Sequence, residues 1–216
     1  MRVYHFVPSG FGLEDLTHRR LKIARLDELN DPFELLGFAA REPAIRKAFA
    51  DTKASLAKDR GMLCFSRDWH NPVQWSHYAE QHRGLCLGFD VPDALLTEVT
   101  YLAKRPLPNM ATLAGTEPPA QTEMIKVLAT KFSHWSYENE VRVFIKLTDP
   151  IGPLYFADFG PNLALREVII GARCDAKRSD IAAALGPLAS TVKARKARLA
   201  FRSFRVVEQK RRSLWP

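Results

Sequence analysis

The segment CFSRDWHNPVQWSHYAEQHRGLCLGF, residues 64–89, decides the fold expected for this chain. Apolar residues at both of its ends are typical of buried strands, and its middle has the spacing of a short helix. Asn71 and Pro72 mark the helix start, because Asn is a favoured N-cap and Pro is tolerated at the first helical position. Gly84 marks its end. The segment therefore predicts a strand, an aromatic helix and a second strand.

One face of the predicted helix is aromatic. Trp75, Tyr78, Ala79 and His82 follow the spacing at which side chains of a helix point in one direction. We therefore expect Trp75 and Tyr78 to form one wall of a cleft. His77 and His82 are five residues apart, a spacing that favours structural histidines over ligands of a shared metal.

The composition is typical of a globular protein. The chain has 216 residues, of which 46% are hydrophobic, so a single domain over residues 1–216 can bury a substantial core. Its apolar runs are far shorter than the ~20 residues of a membrane span, and the N-terminus lacks a signal-peptide pattern. Both features predict a cytoplasmic protein without membrane contact. The three cysteines, Cys64, Cys86 and Cys174, are predicted to be buried thiols rather than disulfides or zinc ligands.

The formal net charge is +8, and much of the excess lies in residues 193–212. A basic C-terminal strand and tail of this kind attracts the phosphates of DNA or RNA through counterion release. It is equally typical of a solvated face that keeps a protein soluble. Both interpretations stay open at the level of the sequence.

Segments rich in β-formers alternate irregularly with segments of helical spacing along the rest of the chain. The further predicted strands cover residues 2–8, 21–26, 98–105, 134–147, 153–159, 166–171 and 197–207. The further predicted helices cover residues 13–20, 42–60, 121–134 and 176–189, and a long loop is expected near residues 105–121. This order lacks the regular βαβ alternation and the glycine motifs of nucleotide-binding α/β folds. We therefore expect an α+β fold in which helices pack on a mixed, largely antiparallel sheet.

A second group of candidate residues lies on one of these strands. In a strand of period two, Glu138, Glu140 and Arg142 share one face, while the apolar residues between them face the core. An ion-paired polar surface is one interpretation. A pocket is the other, because Trp135 and Tyr137 precede the carboxylates, and aromatic rings beside carboxylates suit the binding of a flat ring, a ribose or a cation.

Four separated segments together resemble a bacterial protein family. They are YHF at residues 4–6, LNDPFE at 29–34, WSHYAEQHRGLCLGF at 75–89 and WSYENEVR at 135–142. In this order they resemble the bacterial domain of unknown function 2971, and the resemblance covers residues 3–172. Members of that family are similar to accessory and phage-defence proteins. The resemblance therefore implies a toxin–antitoxin or phage-defence setting, with an antitoxin or another protein as a partner.

A more distant resemblance concerns the chemistry. Three groups of residues in chain order look like the three-part signature of ADP-ribosyltransferases: Tyr4 and His5 on the first strand, Ser66 with Trp75 and Tyr78 in the middle, and Glu138 with Glu140 late in the chain. The resemblance implies a split mixed sheet with packed helices. It also implies NAD as a substrate, with no metal.

The same resemblance implies a role for each residue. Glu140 would be the catalytic carboxylate that stabilises the positive charge developing on the ribose, and Glu138 would position the acceptor. His5 would hydrogen-bond the ribose of NAD, and Tyr78 or Trp75 would stack on the nicotinamide. Tyr4 and Ser66 would complete the NAD-binding set.

Three functions follow as hypotheses. The first is an NAD-binding, ADP-ribosyltransferase-like effector that modifies nucleic acid or protein. The second is a defence module that binds DNA or RNA through the basic C-terminal region without catalysis. The third is a metal-dependent nuclease that uses Asp31, Glu34 and Glu140, which no recognised motif connects.

Overall fold

The computed structural model describes residues 1–31, 33, 39, 41–107 and 128–215. Its strands are β1 (Arg2–Val7), β2 (Arg20–Lys22), β3 (Ala24–Arg25), β4 (Arg60–Ser66), β5 (Leu85–Asp90), β6 (Thr97–Glu98), β7 (Thr100–Leu102), β8 (Thr130–Phe132), β9 (Glu140–Lys146), β10 (Phe156–Asp158), β11 (Ala164–Ile170), β12 (Lys193–Leu199) and β13 (Val206–Glu208). Its α-helices are α1 (Ser9–His18), α2 (Pro43–Asp59), α3 (Pro72–Tyr78) and α4 (Arg178–Leu185). The predicted α+β class is confirmed.

Nine of these strands form one mixed, mostly antiparallel sheet. The order is β13-β12-β11-β5-β1-β4-β9-β6, with β3 paired to β4. Within this sheet, β11 and β12 run parallel, and α4 lies between them in the chain. Two short ribbons flank the sheet: antiparallel β10 with β2, and parallel β7 with β8. None of the helices in the described part of the chain is long and apolar enough to cross a membrane.

The sheet is joined weakly at its centre. Tyr4 opposite Ser66 is the single paired position between β1 and β4. By contrast, β1 pairs with β5 over six positions, and β4 pairs with β9 over seven. The His5 ring spans the gap, with Nδ1 3.0 Å from the carbonyl oxygen of Cys64. The sheet therefore consists of two well-paired halves that meet at one position.

The two faces of the sheet are covered differently. One face packs against α1 and α4 in a continuous apolar core that includes Leu16, Phe65 and Ile181. On the other face, the apolar residues form two separate clusters, one around Trp75 and one around Met62. Because side chains alternate along a strand, β4 contributes to both faces. The surface between the two smaller clusters holds the candidate site.

The helix α3 ends earlier than the sequence predicts. It stops at Tyr78, and the next residues include Glu80, Gln81 and His82, all with positive φ. The predicted continuation to Gly84 is therefore wrong. Gly84 serves a different purpose, because a Cβ at this position would lie 2.2 Å from the carbonyl oxygen of Val7. It permits two backbone segments to approach closely.

Three other predictions on boundaries need correction. The helix predicted at 121–134 lies partly outside the described residues, and within the described part residues 130–132 are strand β8, paired with β7. Residues 133–138, expected at the start of a strand, form a 3₁₀-helix. The strand predicted at 197–207 is an antiparallel hairpin of β12 and β13. Most of the loop predicted near 105–121 lies outside the described residues.

Candidate functional site

A pocket of about 120 Å³ opens on the sheet face between the two smaller apolar clusters. Six of the seven residues that the sequence proposed for the site line it: Tyr4, His5, Ser66, Tyr78, Glu138 and Glu140. They come from β1, β4, α3, the 3₁₀-helix and β9, so four separated parts of the sequence meet where β1 and β4 diverge. The seventh, Trp75, does not line the pocket.

Glu140 is held in a buried ion pair. It lies opposite Ser66 on the neighbouring strand, and its Oε1 and Oε2 accept hydrogen bonds of 2.8 and 3.0 Å from Nε and Nη2 of Arg142. Burial is the largest single effect and raises the pKa of Glu140, but the charge and hydrogen bonds of Arg142, together with the charge of Lys131, outweigh it and bring the pKa to about 2. Glu140 is therefore ionised at neutral pH.

Glu138 reaches the pocket from the end of the 3₁₀-helix. Asn139 follows it with φ of 46°, a left-handed conformation that turns the chain into β9. Its Oε2 lies 2.6 Å from Nζ of Lys131, and its Oε1 accepts a hydrogen bond from the hydroxyl of Tyr78. Burial raises the pKa of Glu138 above its ordinary value, with Lys131 opposing the shift. The two carboxylates therefore differ in their tendency to hold a proton.

Lys131 connects the two carboxylates. Its ammonium lies 3.3 Å from Oε2 of Glu140 in addition to its contact with Glu138. All three side chains are buried, as is Arg142, which is 1% exposed. Two buried anions thus face two buried cations, which offsets the cost of removing four charges from water.

His5 is a neutral histidine with a defined tautomer. Because a carbonyl oxygen accepts hydrogen bonds and does not donate them, Nδ1 of His5 must carry the proton in its contact with Cys64. Burial lowers the pKa of His5. The second ring nitrogen, Nε2, is therefore a hydrogen-bond acceptor at neutral pH.

Ser66 anchors the site rather than offering its hydroxyl to a ligand. Its Oγ donates to the carbonyl oxygen of Asp68 at 2.9 Å, and it accepts from the amide of Asp68 at 3.0 Å. It also accepts from Nε2 of Gln74 at 3.0 Å. Gln74 in turn donates to the carbonyl oxygen of Tyr137 at 3.0 Å. Ser66 and Gln74 therefore fix α3 to β4 and to the 3₁₀-helix.

The prediction that Trp75 stacks on a ligand is not supported by its position. The side chain is fully buried beneath α3, and its Nε1 donates to the carbonyl oxygen of Trp69 at 2.6 Å. Its ring meets Phe6 edge to face at 5.2 Å. The helix turns Trp75 towards the sheet and Tyr78 towards the pocket, so Tyr78 is the aromatic residue that α3 supplies to the site.

Tyr4 presents its ring to the pocket while its hydroxyl bonds elsewhere. The hydroxyl donates a hydrogen bond of 3.3 Å to Oε1 of Glu167, and the same oxygen lies 2.7 Å from Nη1 of Arg2. Burial and the charge of Glu167 raise the pKa of Tyr4 to about 12. Tyr4 therefore contributes apolar ring surface to the site.

Sequence inspection missed several residues of the site. Asn30, in the segment LNDPFE, donates from Nδ2 to the hydroxyl of Tyr78 at 3.0 Å. Its neighbour Asp31 accepts a hydrogen bond from the amide of Phe33 at 2.9 Å. Lys131 falls within the helix predicted at residues 121–134, and its charge in an otherwise apolar pattern is the one signal of a buried partner. Cys64, interpreted as a buried thiol, also lines the pocket.

A second cavity of about 290 Å³ shares one lining residue, Lys131, with the first. Its other lining residues include Lys104 and Arg105, which are cationic, and the ring of Phe132. The guanidinium of Arg105 lies 4.7 Å above the ring of Phe33. The lining of the second cavity includes three basic residues, Lys104, Arg105 and Lys131.

Within the described residues, the side chains that the nuclease hypothesis requires do not form a metal site. No group of three or more His, Cys, Asp or Glu side chains in that part of the chain is placed to hold a metal ion. Glu140 is paired with Arg142, and Glu34 lies outside the described residues.

No protein-family model, curated protein or solved structure matches this chain. The resemblances to the domain of unknown function 2971 and to ADP-ribosyltransferases stay predictions.

Proposed function

We propose that the chain is an ADP-ribosyltransferase-like enzyme whose first pocket binds the nicotinamide riboside end of NAD. The observation that carries this proposal is the pair of carboxylates in one pocket, with Glu140 held at a low pKa and Glu138 at a raised one. Two carboxyl groups whose environments separate their pKa values are suited to different roles in one reaction. β1 and β4 pair at a single position, and His5 and the two carboxylates line the same pocket. This gap in the strand pairing agrees with the split sheet that the resemblance implies.

The size and lining of the pocket suit one end of a dinucleotide. A volume of about 120 Å³ is below the ~300 Å³ from which pockets for whole ligands start, so the rest of NAD must lie outside it. The rings of Tyr4 and Tyr78 offer surface for the nicotinamide, and Nε2 of His5 is an acceptor for a ribose hydroxyl. In this proposal the diphosphate lies in the second cavity, whose lining includes the cations Lys104 and Arg105.

The two carboxylates would then divide the chemistry. In the proposed transfer, the bond between C1′ of the ribose and the nicotinamide nitrogen breaks, and nicotinamide leaves with the electron pair. The ionised Glu140 stabilises the positive charge that develops on the ribose. An acceptor oxygen or nitrogen bonds to C1′, and its proton passes to Glu138, whose raised pKa makes it the better base. In the defence setting implied by the resemblance, the acceptor is a nucleic acid or a protein.

The test follows two products separately. The protein is incubated with NAD labelled in its adenylate part, together with single-stranded DNA, RNA or protein, and released nicotinamide and transferred label are measured. We expect Glu140→Gln to reduce both about 100-fold. Glu138→Gln should reduce the transfer of label more than the release of nicotinamide, because water can replace the acceptor. Binding of NAD to each variant is measured by calorimetry.

Glu14→Gln is the matched control, because Glu14 is exposed on α1 and does not line the pocket. It should retain the wild-type rates. The proposal is wrong if wild-type protein neither binds NAD nor releases nicotinamide with any acceptor, or if Glu140→Gln behaves as the control does.

A further inference from the structure

The hairpin of β12 and β13 ends in a tip with two exposed aromatic rings. Ala200 donates its amide hydrogen to the carbonyl oxygen of Arg205 at 2.9 Å, which closes the turn. Between them, Phe201 is 91% exposed and Phe204 is 98% exposed. Soluble proteins rarely display large apolar side chains together in this way unless the surface binds something.

The tip is also basic. Residues 193–207 contain six Lys and Arg residues and no acidic residue. Two of these cations are engaged within the fold: Arg195 lies 3.0 Å from Glu167, and Lys196 donates to the carbonyl oxygen of Gly171 at 2.8 Å. Of the other four cations, Arg198, Arg202 and Arg205 lie at the tip, whereas Lys193 lies at the opposite end of β12.

Guanidinium groups accompany the two rings at the tip. Arg198 lies over the ring of Phe201, with its guanidinium carbon 4.8 Å from the ring centre. Arg202 is exposed between the two phenylalanines in the sequence. Arg205 is half exposed and reaches Asp68 at 3.5 Å, a distance at which a surface pair contributes little. Rings and cations therefore alternate along the tip.

A concavity of about 570 Å³ lies beside the tip and is completed by Pro72 and His82. Pro72 is the first residue of α3, and the same helix supplies Gln74 and Tyr78 to the first pocket. The amide of Val206 also donates to the carbonyl oxygen of His70 at 2.8 Å, just before α3. The tip and the candidate active site thus flank one helix.

We propose that the hairpin tip, residues 198–205, binds single-stranded nucleic acid. Unpaired bases stack on exposed aromatic rings, and guanidinium groups bind the phosphates between them. The alternation of Phe201 and Phe204 with arginines matches this repeat of base and phosphate. A segment that lies in a membrane interface instead carries its apolar residues and its cations on opposite faces. Binding at the tip does not require NAD or transferase chemistry.

Fluorescence anisotropy with a short labelled single-stranded oligonucleotide tests this assignment. We expect Phe201→Leu and Phe204→Leu each to weaken binding roughly tenfold, because leucine keeps the apolar surface but cannot stack as a ring. Phe→Tyr at either position should retain binding. Arg202→Gln should reduce the slope of log Kd against the logarithm of the salt concentration by about 0.7, because one phosphate contact is lost.

Phe11→Leu is the matched control, since Phe11 is an exposed phenylalanine on α1. Thermal unfolding of each variant should match the wild type, because none of these rings is part of the core. The assignment is overturned if the oligonucleotide does not bind, if both Leu variants bind as the control does, or if duplex DNA binds equally well. It is also overturned if vesicles with anionic lipid bind at the tip and the oligonucleotide does not.

Discussion

The ammonium group of Lys131 lies 2.6 Å from Oε2 of Glu138, and both side chains are buried. The pair joins strand β8 to the end of the 3₁₀-helix, so it also holds the pocket wall in place. Removing one partner of a buried ion pair leaves the other charge without compensation. The energetic consequences of this contact can be measured.

Lys131→Met should lower the free energy of unfolding by about 3–5 kcal/mol, because one cation then faces two buried carboxylates. Urea unfolding at neutral pH measures this change. Lys47→Met is the control: its pair with Asp51 is exposed, and we expect a change within about 0.5 kcal/mol. A loss as small as the control's would mean that the pair with Glu138 makes no larger contribution than a surface contact.

Stability at acid pH should depend on Glu140. Its pKa is about 2 in the folded protein against an ordinary value of 4.5, so its contribution is complete above pH ~4.5 and disappears as the pH falls towards ~2. The shift corresponds to a contribution on the order of 3 kcal/mol. Glu140→Gln should flatten the dependence of the unfolding free energy on pH within that window. An unchanged slope would contradict the ion pair with Arg142.

Substitutions at Trp75 and Tyr78 should have different effects: the first should change the stability of the fold, and the second should change the affinity for NAD. Trp75→Phe removes buried ring surface and the hydrogen bond to Trp69, so the free energy of unfolding should fall by about 2 kcal/mol or more, while the affinity of the folded protein for NAD stays unchanged. Tyr78→Leu should instead weaken NAD binding by up to about tenfold. Urea unfolding and calorimetry measure the two effects. The reverse pattern would restore Trp75 as the stacking residue.

His5 should be visible as a single neutral tautomer by nitrogen NMR, with the proton on Nδ1 and none on Nε2. Because burial lowers its pKa from the ordinary 6.5, the folded state binds its proton less readily than the unfolded state. Stability should therefore fall as the pH drops below ~6.5, by at most about 1.4 kcal/mol per pH unit from this residue. His5→Asn keeps a donor near the Cys64 carbonyl and should remove this dependence. A proton on Nε2 instead would exclude the acceptor role.

The sequence identifies most strands of the main sheet and six of the residues that line the pocket, because those depend on local patterns. Period-two alternation placed Glu140 and Arg142 on one face of a strand, and they do share it. The pattern could not indicate that this face is buried, since its covering comes from α3, the 3₁₀-helix and Lys131 of β8. A polar strand face has the same sequence pattern whether it is exposed to water or lines a pocket.

The incorrect predictions concern segments whose structure depends on contacts between distant parts of the chain. Residues 130–132 have helical spacing in the sequence, yet pairing with β7 makes them a strand. Helical spacing continued from Trp75 to His82, but the close approach of Gly84 to Val7 turns the backbone before the helix can reach it. In both cases, tertiary contact overrides a weak local preference.

The single paired position between Tyr4 and Ser66 has a consequence for how the site forms. Tyr4 and His5 belong to one half of the sheet, whereas Ser66 and Glu140 belong to the other, so neither half contains a complete pocket. Assembly of the site and docking of the two halves are then one event. A substitution that loosens the docking, even far from the pocket, should lower ligand affinity in proportion to the fraction of molecules whose halves are apart.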